Sequence, residues 1–193
     1  MELRCAWVTK DPEYIEYHDK QWGRPVHDAR ELFAKLCLDG QQAGLSWITI
    51  LKRTESYHRA YADFDPLRIA QFNEQDVERL MQDTGIIRNR LKVQSIIKNA
   101  RAYLALEAEG IDFVDYLWGF VGGAPIVNQR QGNGDIPATS AESDAMSKAL
   151  KKRGFTFVGS TICYAFMQAV GMVNDHLVTC PCHAECQQEP ARQ

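Results

Sequence analysis

The sequence predicts an all-α fold, and three observations support that prediction. Apolar residues recur at the 3.6-residue period of a helix through most of the chain, most regularly over residues 89–110. Residues that favour helix N-caps precede several of these segments, and glycines follow them. The segment FTFVG at 155–159 alternates like a strand, but it is short and has no second segment to pair with.

In the N-terminal half, each predicted helix has a start signal or an apolar stripe. Asp28 is a plausible N-cap with Glu31 as its capping-box partner, and Gly40 is the expected end of that helix. A second helical pattern covers residues 45–61. Pro66 occupies a first-turn position, where its missing N–H costs no hydrogen bond.

Farther along the chain, Asn73 is a candidate cap for a short helix, and the most regular helix of the chain is expected to end at Gly110. A helix that begins after Ser140 ends at Gly154. Two more apolar segments, 112–123 and 158–173, are read as helices, and residues 124–140 are read as a loop because they combine prolines and glycines with few apolar residues.

The composition is that of one ordinary globular unit spanning residues 1–193. Hydrophobic content is 45%, charged content is 24% and the formal net charge is -3. That charge does not suggest a nucleic-acid partner, although a local basic patch matters more than the sum. We see neither a secretory leader nor a membrane span, so we expect thiols or metal ligands rather than disulfides, in a reducing cytoplasm.

The segment MQDTGIIRNRLK predicts a helical hairpin that could bind phosphate. Gly85 can adopt the positive φ of a tight turn, and the helix after it begins near Asn89 with free N–H groups. Arg88, Arg90 and Lys92 add positive charge around that helix end. The alternative is an ordinary turn with solvated cations, and the same holds for the second basic cluster, Lys151, Lys152 and Arg153.

The tail NDHLVTCPCHAEC raises the question of a metal site. His176 and Cys180 are four residues apart, which places them on one face of a helical turn. A structural zinc needs about four nitrogen or sulfur ligands. Spacing alone leaves open whether Cys182, His183 and Cys186 supply the others or form an exposed, frayed tail.

Three long stretches carry a resemblance to a known family: RCAWVTKDPEYIEYHDKQWG, LDGQQAGLSWITIL and KKRGFTFVGSTICYAFMQAVGMVNDH. They resemble the bacterial 3-methyladenine DNA glycosylase I family over nearly the whole chain. The resemblance implies a two-lobed helix-hairpin-helix fold with the hairpin around residues 76–107. It also implies a monofunctional base-excision repair enzyme that hydrolyses the N-glycosidic bond of 3-methyladenine in double-stranded DNA.

The same resemblance answers the question of the metal. It implies a structural Zn²⁺ that joins the two termini through Cys5, His18, His176 and Cys180. Four protein ligands leave no open position for water, so this zinc is not expected to be catalytic.

The resemblance also assigns a base pocket. It points to Tyr17 and Trp47 as base contacts and to Trp7 and Trp22 as pocket walls, although Trp22 could equally fill a core. Asp39 stands where the family usually has glutamate, and its carboxylate reaches about 1.5 Å less far. Asp39 and Tyr17 are the candidate catalytic residues.

Further expectations concern the DNA and the alternative functions. Gln42 and Leu45 are candidates to enter the gap left by a flipped base, and core packing is the alternative for Leu45. Asp112 and Asp115 are read as surface charges rather than catalytic groups, and Lys92 lies too far along for a lyase. We expect a monomer without membrane contact. The rival function is a non-catalytic, zinc-stabilised helical protein that binds nucleic acid.

Overall fold

The computed structural model describes residues 3–189 of the 193-residue chain. These residues are mostly helical, as predicted, and every helix of eight or more residues is amphipathic or buried within the molecule. The α-helices are α1 Pro12–Lys20, α2 Ala29–Gln41, α3 Trp47–Leu51, α4 Thr54–Ala60, α5 Pro66–Ile69, α6 Glu74–Met81, α7 Arg90–Ala108, α8 Phe113–Trp118, α9 Ala141–Lys152, α10 Ser160–Ala169 and α11 Pro181–Gln188.

Two short strands are present that the sequence did not predict. β1, Ile126–Val127, pairs in parallel with β2, Val173–Asn174. β1 lies in the segment predicted as a loop, and the FTFVG segment takes no part in the pair. Pairs of two residues carry no detectable alternation of apolar and polar side chains, which is why the pattern missed them. No helix among residues 3–189 is long and apolar enough to cross a bilayer.

The predicted helix starts are confirmed, and the predicted ends less often. Asp28 accepts a hydrogen bond from Glu31 N at 2.8 Å, and Asn73 and Ser140 each form a capping box. Helix α2 runs past Gly40 to Gln41. A Cβ at Gly40 would lie 3.1 Å from Phe157, so this glycine permits a close approach between segments rather than ending the helix. The single helix expected over 45–61 is two helices, α3 and α4.

Two groups of buried side chains hold the helices together. The larger is built around α2, α7 and α10, and α7 contributes the stripe that includes Val93, Ile96 and Tyr103. The smaller joins the two ends of the chain and contains Cys5, Tyr17, Trp22, Ala169, Leu177, Cys180, Cys182 and Cys186. Trp47 packs against both groups, so it lies where they meet.

The C-terminal tail is not a frayed segment, so that alternative is wrong. It forms α11, and Cys182, His183 and Cys186 are buried. His183 O accepts a hydrogen bond from Asn174 Nδ2 at 2.9 Å, and the His183 ring lies 2.8 Å from Asn128 O through Nε2. These contacts hold the tail against β2 and against the residue that follows β1.

The predicted hairpin is present, with α6 and α7 joined by residues 82–89. The expectation that Gly85 adopts a positive φ is wrong, since its φ lies outside the left-handed region. A Cβ at this position would instead lie 2.7 Å from Ser56 Oγ and 2.8 Å from Ser56 Cβ. Glycine is therefore required here because the turn packs closely on α4, and Ile86 is buried beside it.

The prediction that Lys92 faces DNA is also wrong. Lys92 is 6% exposed, and its Nζ donates hydrogen bonds to Gln41 O at 2.8 Å and Ala43 O at 2.6 Å. Lys92 directly precedes the buried Val93 and lies on the inner side of α7. The neighbouring Arg88 and Arg90 made it look like a third exposed cation. Lys92 therefore holds the segment after α2 in place.

We expect Gly85→Ala to lower the free energy of unfolding by about 1–3 kcal/mol, because the added methyl group overpacks the turn against Ser56. Gly119→Ala is the matched control, since nothing lies within 4 Å of a Cβ there and its φ is -57°. Urea denaturation followed by circular dichroism measures both. Equal stability of the two variants would contradict the close approach at Gly85.

Candidate active site and metal-ligand cluster

One cavity, of about 360 Å³, brings together most of the pocket residues that the sequence suggested. Its volume falls in the range of small-molecule sites. It lies between α1, α2, α3, α10 and the loop that follows β1, and its lining is largely aromatic. The lining residues are Trp7, Tyr14, Tyr17, Trp22, Asp39, Gln42, Trp47, Asn133, Ile136, Ala165 and Gln168.

Aromatic rings form the walls of this cavity, which is called the base cavity below because the resemblance assigned its residues to a base pocket. Trp7 contacts Trp22 with ring centroids 5.0 Å apart and Tyr14 at 5.1 Å. Tyr17 and Trp47 form a second pair at 5.5 Å, with their planes 39° apart. Trp22 is both wall and core, because it also packs against the ring of His176 at 4.6 Å. Such faces suit a flat, cationic ring.

Unpaired polar atoms make this cavity the candidate binding site. Among residues 3–189, three buried side-chain atoms lack a hydrogen-bond partner: Trp7 Nε1, Trp47 Nε1 and Asp39 Oδ2. All three residues line the base cavity. Burying a polar atom without a partner costs about 1–3 kcal/mol. A ligand with two hydrogen-bond acceptors and one donor would therefore satisfy the two indole N–H groups and the carboxylate oxygen.

Asp39 lies in the last turns of α2 and is 2% exposed. Its Oδ1 accepts a hydrogen bond from Lys35 Nζ at 3.1 Å, one helical turn earlier. Burial raises the pKa of the Asp39 carboxyl, and the Lys35 ammonium opposes that shift. Tyr17 has its pKa raised by burial and then by the Asp39 charge. Its hydroxyl is therefore a proton donor at neutral pH, not a base.

Lys35 was not singled out from the sequence, although its spacing of four residues from Asp39 is that of a helical ion pair. Its Nζ lies 3.2 Å from the centroid of the Trp47 ring and 5.3 Å from that of Tyr17. Burial lowers the pKa of the Lys35 ammonium to about 8. Asn133 and Gln168 were also missed, because only the fold brings them to this cavity.

A chain of hydrogen bonds connects the hairpin with the end of α2. Ile87 N donates to Tyr57 OH at 3.1 Å, and Tyr57 OH donates to Gln41 Oε1 at 3.0 Å. Gln41 Nε2 donates to Lys92 O at 3.1 Å. Because Gln41 follows Asp39 by two residues, the hairpin and the base cavity are fixed relative to each other.

The segment after α2 leads from the cavity to the surface. Gln42 lines the cavity and is half-buried. Gly44 has φ +77°, and Leu45 beyond it is 40% exposed. The core-packing alternative for Leu45 is therefore wrong. Its apolar side chain lies on the surface, next to a cavity suited to a flat ring.

The hairpin presents two of the three predicted cations. Arg88 is exposed. Arg90 is paired with Glu78 at 2.7 Å, with 46% of its side chain exposed. Asn89 caps α7 by accepting a hydrogen bond from Lys92 N. In the second basic cluster, Lys151 and Lys152 are exposed and Arg153 is paired with Glu109.

The surface reading of the acidic residues after the hairpin is confirmed. Asp112 is exposed and caps α8, accepting a hydrogen bond from Asp115 N at 2.9 Å. Asp115 is exposed as well, and neither residue lines the base cavity. The carboxylate of this cavity is therefore Asp39.

The four residues that the resemblance named as metal ligands lie together. Cys5, His18, His176 and Cys180 are buried, and one ligand atom from each falls within 4.8 Å of the others. Cys5 Sγ is 3.5 Å from His176 Nδ1, and Cys180 Sγ is 3.7 Å from His18 Nε2. Zinc at its usual bond lengths gives sulfur–nitrogen separations of about 3.6 Å in a tetrahedron. The donor set therefore fits zinc.

The second ring nitrogen of each histidine is also satisfied. His18 Nδ1 lies 2.7 Å from Asp19 Oδ1, and His176 Nε2 lies 2.8 Å from Trp22 O. Arg4 in turn donates three hydrogen bonds to the Asp19 carboxylate, two from Nε and one from Nη2. These contacts aim His18 Nε2 and His176 Nδ1 at the two thiols, as in ligating histidines.

The other candidate ligands of the tail, Cys182, His183 and Cys186, lie near the cluster of four but outside it. Cys182 comes within 4.8 Å of His18 and Asp19 in a second group of three, while the His183 ring lies against the Asn128 carbonyl. Cys186 belongs to neither of the two groups found among residues 3–189.

The fold holds a helical hairpin in a fixed position relative to an aromatic cavity that contains a carboxylate. This arrangement is suited to a protein that binds a flat, cationic ring. The family model for methyladenine glycosylase matches residues 7–183, and the chain belongs to this family. It is 58% identical over 180 residues to DNA-3-methyladenine glycosylase 1 of Escherichia coli K12, covering 93% of this chain and 96% of that protein.

Solved structures give the same result for the fold. A crystal structure of 3-methyladenine DNA glycosylase I superposes with a TM-score of 0.92 at 58% identity, covering 93% of this chain and 99% of the other. The Staphylococcus aureus 3-methyladenine DNA glycosylase I, studied for its recognition of 3-methyladenine, superposes with a TM-score of 0.89 at 41% identity, covering 92% and 95%.

Proposed function

We propose that this protein is a DNA-3-methyladenine glycosylase of base-excision repair, which hydrolyses the N-glycosidic bond of 3-methyladenine in alkylated double-stranded DNA. The observation that carries the proposal is the base cavity, where Trp7 Nε1, Trp47 Nε1 and Asp39 Oδ2 are buried without partners between aromatic faces. Family membership and the named activities of relatives from E. coli and S. aureus support it.

The chemistry of the cavity matches that of the flipped base. A base inside a duplex must leave the stack before an enzyme can enclose it. The exocyclic amine of 3-methyladenine can donate to Asp39 Oδ2, and its ring nitrogens can accept from indole N–H groups. Tyr17 and Trp47 offer faces on which a cationic purine stacks favourably.

The reaction needs little acid catalysis, because the methylated base is already positively charged. The bond between C1′ and N9 breaks, its electron pair neutralises the base, and water adds to C1′ with loss of a proton. In this proposal Asp39 selects the cation and stabilises positive charge as the bond breaks, while protonated Tyr17 stacks on the base. Lys92 Nζ is bonded to two backbone carbonyls, which supports a monofunctional enzyme without a lyase step.

The hairpin supplies the contact with DNA in this proposal. Arg88, Arg90 and the N-terminus of α7 face phosphate, and Gly85 permits the turn that presents them. Gln42 and the exposed Leu45 enter the gap that the base leaves. We propose one two-lobed helix-hairpin-helix unit spanning residues 1–193, of which 3–189 are described, acting as a cytoplasmic monomer.

We further propose a structural Zn²⁺ held by Cys5, His18, His176 and Cys180. The metal would supply folding free energy rather than chemistry, because four protein ligands close its coordination shell. The rival function, binding of nucleic acid without chemistry, has no use for a cavity with three unpaired polar atoms. Release of 3-methyladenine from methylated DNA separates the two functions, since a binder alone releases no base.

Replacing the carboxylate tests the role of Asp39. Asp39→Asn keeps the shape but removes the charge, and a hydrogen bond to a charged group is worth about 1.5–3 kcal/mol. We therefore expect single-turnover release of 3-methyladenine to fall roughly ten- to a hundredfold, with unchanged binding to undamaged duplex. Asp39→Glu is the matched control and should remain active. Unimpaired release by Asp39→Asn would place selection of the cation elsewhere.

The proposed zinc is tested with two cysteine variants. We expect about one zinc per chain in the purified protein by elemental analysis. Cys5→Ala should lose the metal and destabilise the fold by about 4 kcal/mol or more. Cys186→Ala, also buried but outside the cluster, should retain the metal with a loss of only about 1 kcal/mol. Full zinc content in Cys5→Ala would eliminate the proposed ligand set.

The hairpin contact is tested through salt dependence. Arg88→Ala with Arg90→Ala should weaken binding to every duplex alike and reduce the slope of log K against log salt by about two. Lys148→Ala, an exposed cation on α9, is the control and should leave that slope unchanged. A double variant with the wild-type slope would show that the hairpin is only a turn.

A further inference from the structure

Lys35 occupies a position that the base-excision chemistry does not require. Its Nζ is 3.1 Å from Asp39 Oδ1 and 3.2 Å from the Trp47 ring centroid. These are the carboxylate and one of the aromatic faces that a cationic base would use. The Lys35 side chain is 15% exposed. The free protein therefore already has a cation in contact with the groups that would recognise one.

We propose that Lys35 is a positioning residue whose proton is exchanged for the cationic base: Lys35 compensates the charge of Asp39 in the free enzyme and becomes neutral when the cationic base binds. This inference rests on the proposed function and adds a mechanism of charge selection to it. The proton moves from Lys35 Nζ to solvent, so that the site holds one positive charge for one carboxylate before and after binding.

Charge balance in a dry site favours the exchange. Asp39 is 2% exposed and carries one negative charge at most. An ammonium and a cationic purine together would place two positive charges against it, where little water is available to screen them. Within residues 3–189, Asp39 is the one acidic partner in ion-pair contact with Lys35.

The proton has a route out. Lys35 also lines a neighbouring cavity of about 370 Å³ on the other side of Tyr17. The titratable and charged groups that line it belong to α1, to the start of α2, to α4 and to the adjoining 3₁₀ helix, and they are Tyr17, Asp28, Arg30, Glu31, His58 and Asp63. On α10, burial and then the charge of Asp39 raise the pKa of the Cys163 thiol. None of these lining groups shifts the pKa of Lys35 by its charge, and Asp39 is the one residue that does.

The loss of this proton is accessible near neutral pH, since burial lowers the pKa of Lys35 to about 8. A second cation beside Lys35 lowers that pKa further. Below pH 8 the cationic base must therefore displace a proton, and above pH 8 it need not. A neutral base requires no such exchange at any pH.

The test is single-turnover release of 3-methyladenine at subsaturating enzyme between pH 6.5 and 9.5, because the rate then reports the protonation of the free enzyme rather than of the complex. Wild-type release should rise about tenfold from pH 7 to pH 9, as expected for one proton with a pKa near 8. Lys35→Met is similar in length and uncharged, so its release at pH 7 should match wild-type release at pH 9. Lys35→Arg cannot lose its charge in this range and should stay slow throughout.

A purely structural role gives the opposite pattern. If Lys35 only kept Asp39 ionised, Lys35→Arg would follow the wild-type pH profile and Lys35→Met would be slow at pH 7. Either result overturns the inference. Thermal unfolding of each variant shows that it is folded, and binding to undamaged duplex, which contains no cationic base, should show no tenfold rise with pH in any of them.

A second measurement does not depend on catalysis. The Trp47 indole ¹H–¹⁵N signal of the free protein should titrate near pH 8 in the wild type and lose that step in Lys35→Met. The same step in both proteins would overturn the inference. Absence of base release from every protein would instead contradict the proposed function, and the indole titration would still decide whether Lys35 titrates against Trp47.

Discussion

The buried amide of Gln41 is the contact on which the arrangement of this protein depends. Gln41 is 1% exposed, accepts from Tyr57 OH and donates to Lys92 O and Ser95 Oγ. Through these contacts α2, α4 and α7 meet at one point. Because the cavity carboxylate lies two residues before Gln41 and the exposed Leu45 four residues after it, a shift of this amide would move both. Buried amides with every group satisfied fix geometry in a way that apolar contacts do not.

Much of the fold follows from the sequence, because its signals are local. Caps such as Asp28, Asn73 and Ser140 act within three residues, and the apolar stripe of α7 has the period of a helix. The aromatic residues of the cavity and the four cysteine and histidine residues of the cluster were predicted from the resemblance to a family, not from local signals. Neither spacing nor composition could have joined Cys5 to His176, since 171 residues separate them.

The errors arose where tertiary packing decides the outcome. Gly85 and Gly40 are glycine because other segments approach them, and a single sequence does not display such contacts. In the sequence Lys92 looks like the exposed cations beside it, but in the fold α7 packs against the end of α2 and Lys92 Nζ donates a hydrogen bond to Gln41 O. Spacing left open whether the residues after Cys180 are metal ligands or an exposed tail, and in the fold they form α11, which is hydrogen-bonded to β2. The position of Lys35 beside the cavity was missed because its aromatic partners, Tyr17 and Trp47, lie on α1 and α3 and approach it only in the fold.

The joining of the two chain ends has a consequence for biosynthesis. His176 packs against Trp22, a wall of the base cavity, and Leu177 N donates to Cys5 Sγ. Trp22 and His176 are 154 residues apart, and a ribosome adds about 5–20 residues per second, so roughly 8 to 30 seconds separate the synthesis of this wall from that of the histidine that supports it. A nascent chain or a prematurely terminated product therefore lacks a finished cavity. The cavity wall is supported only after His176 and Leu177 have been synthesised and have reached the N-terminal segment.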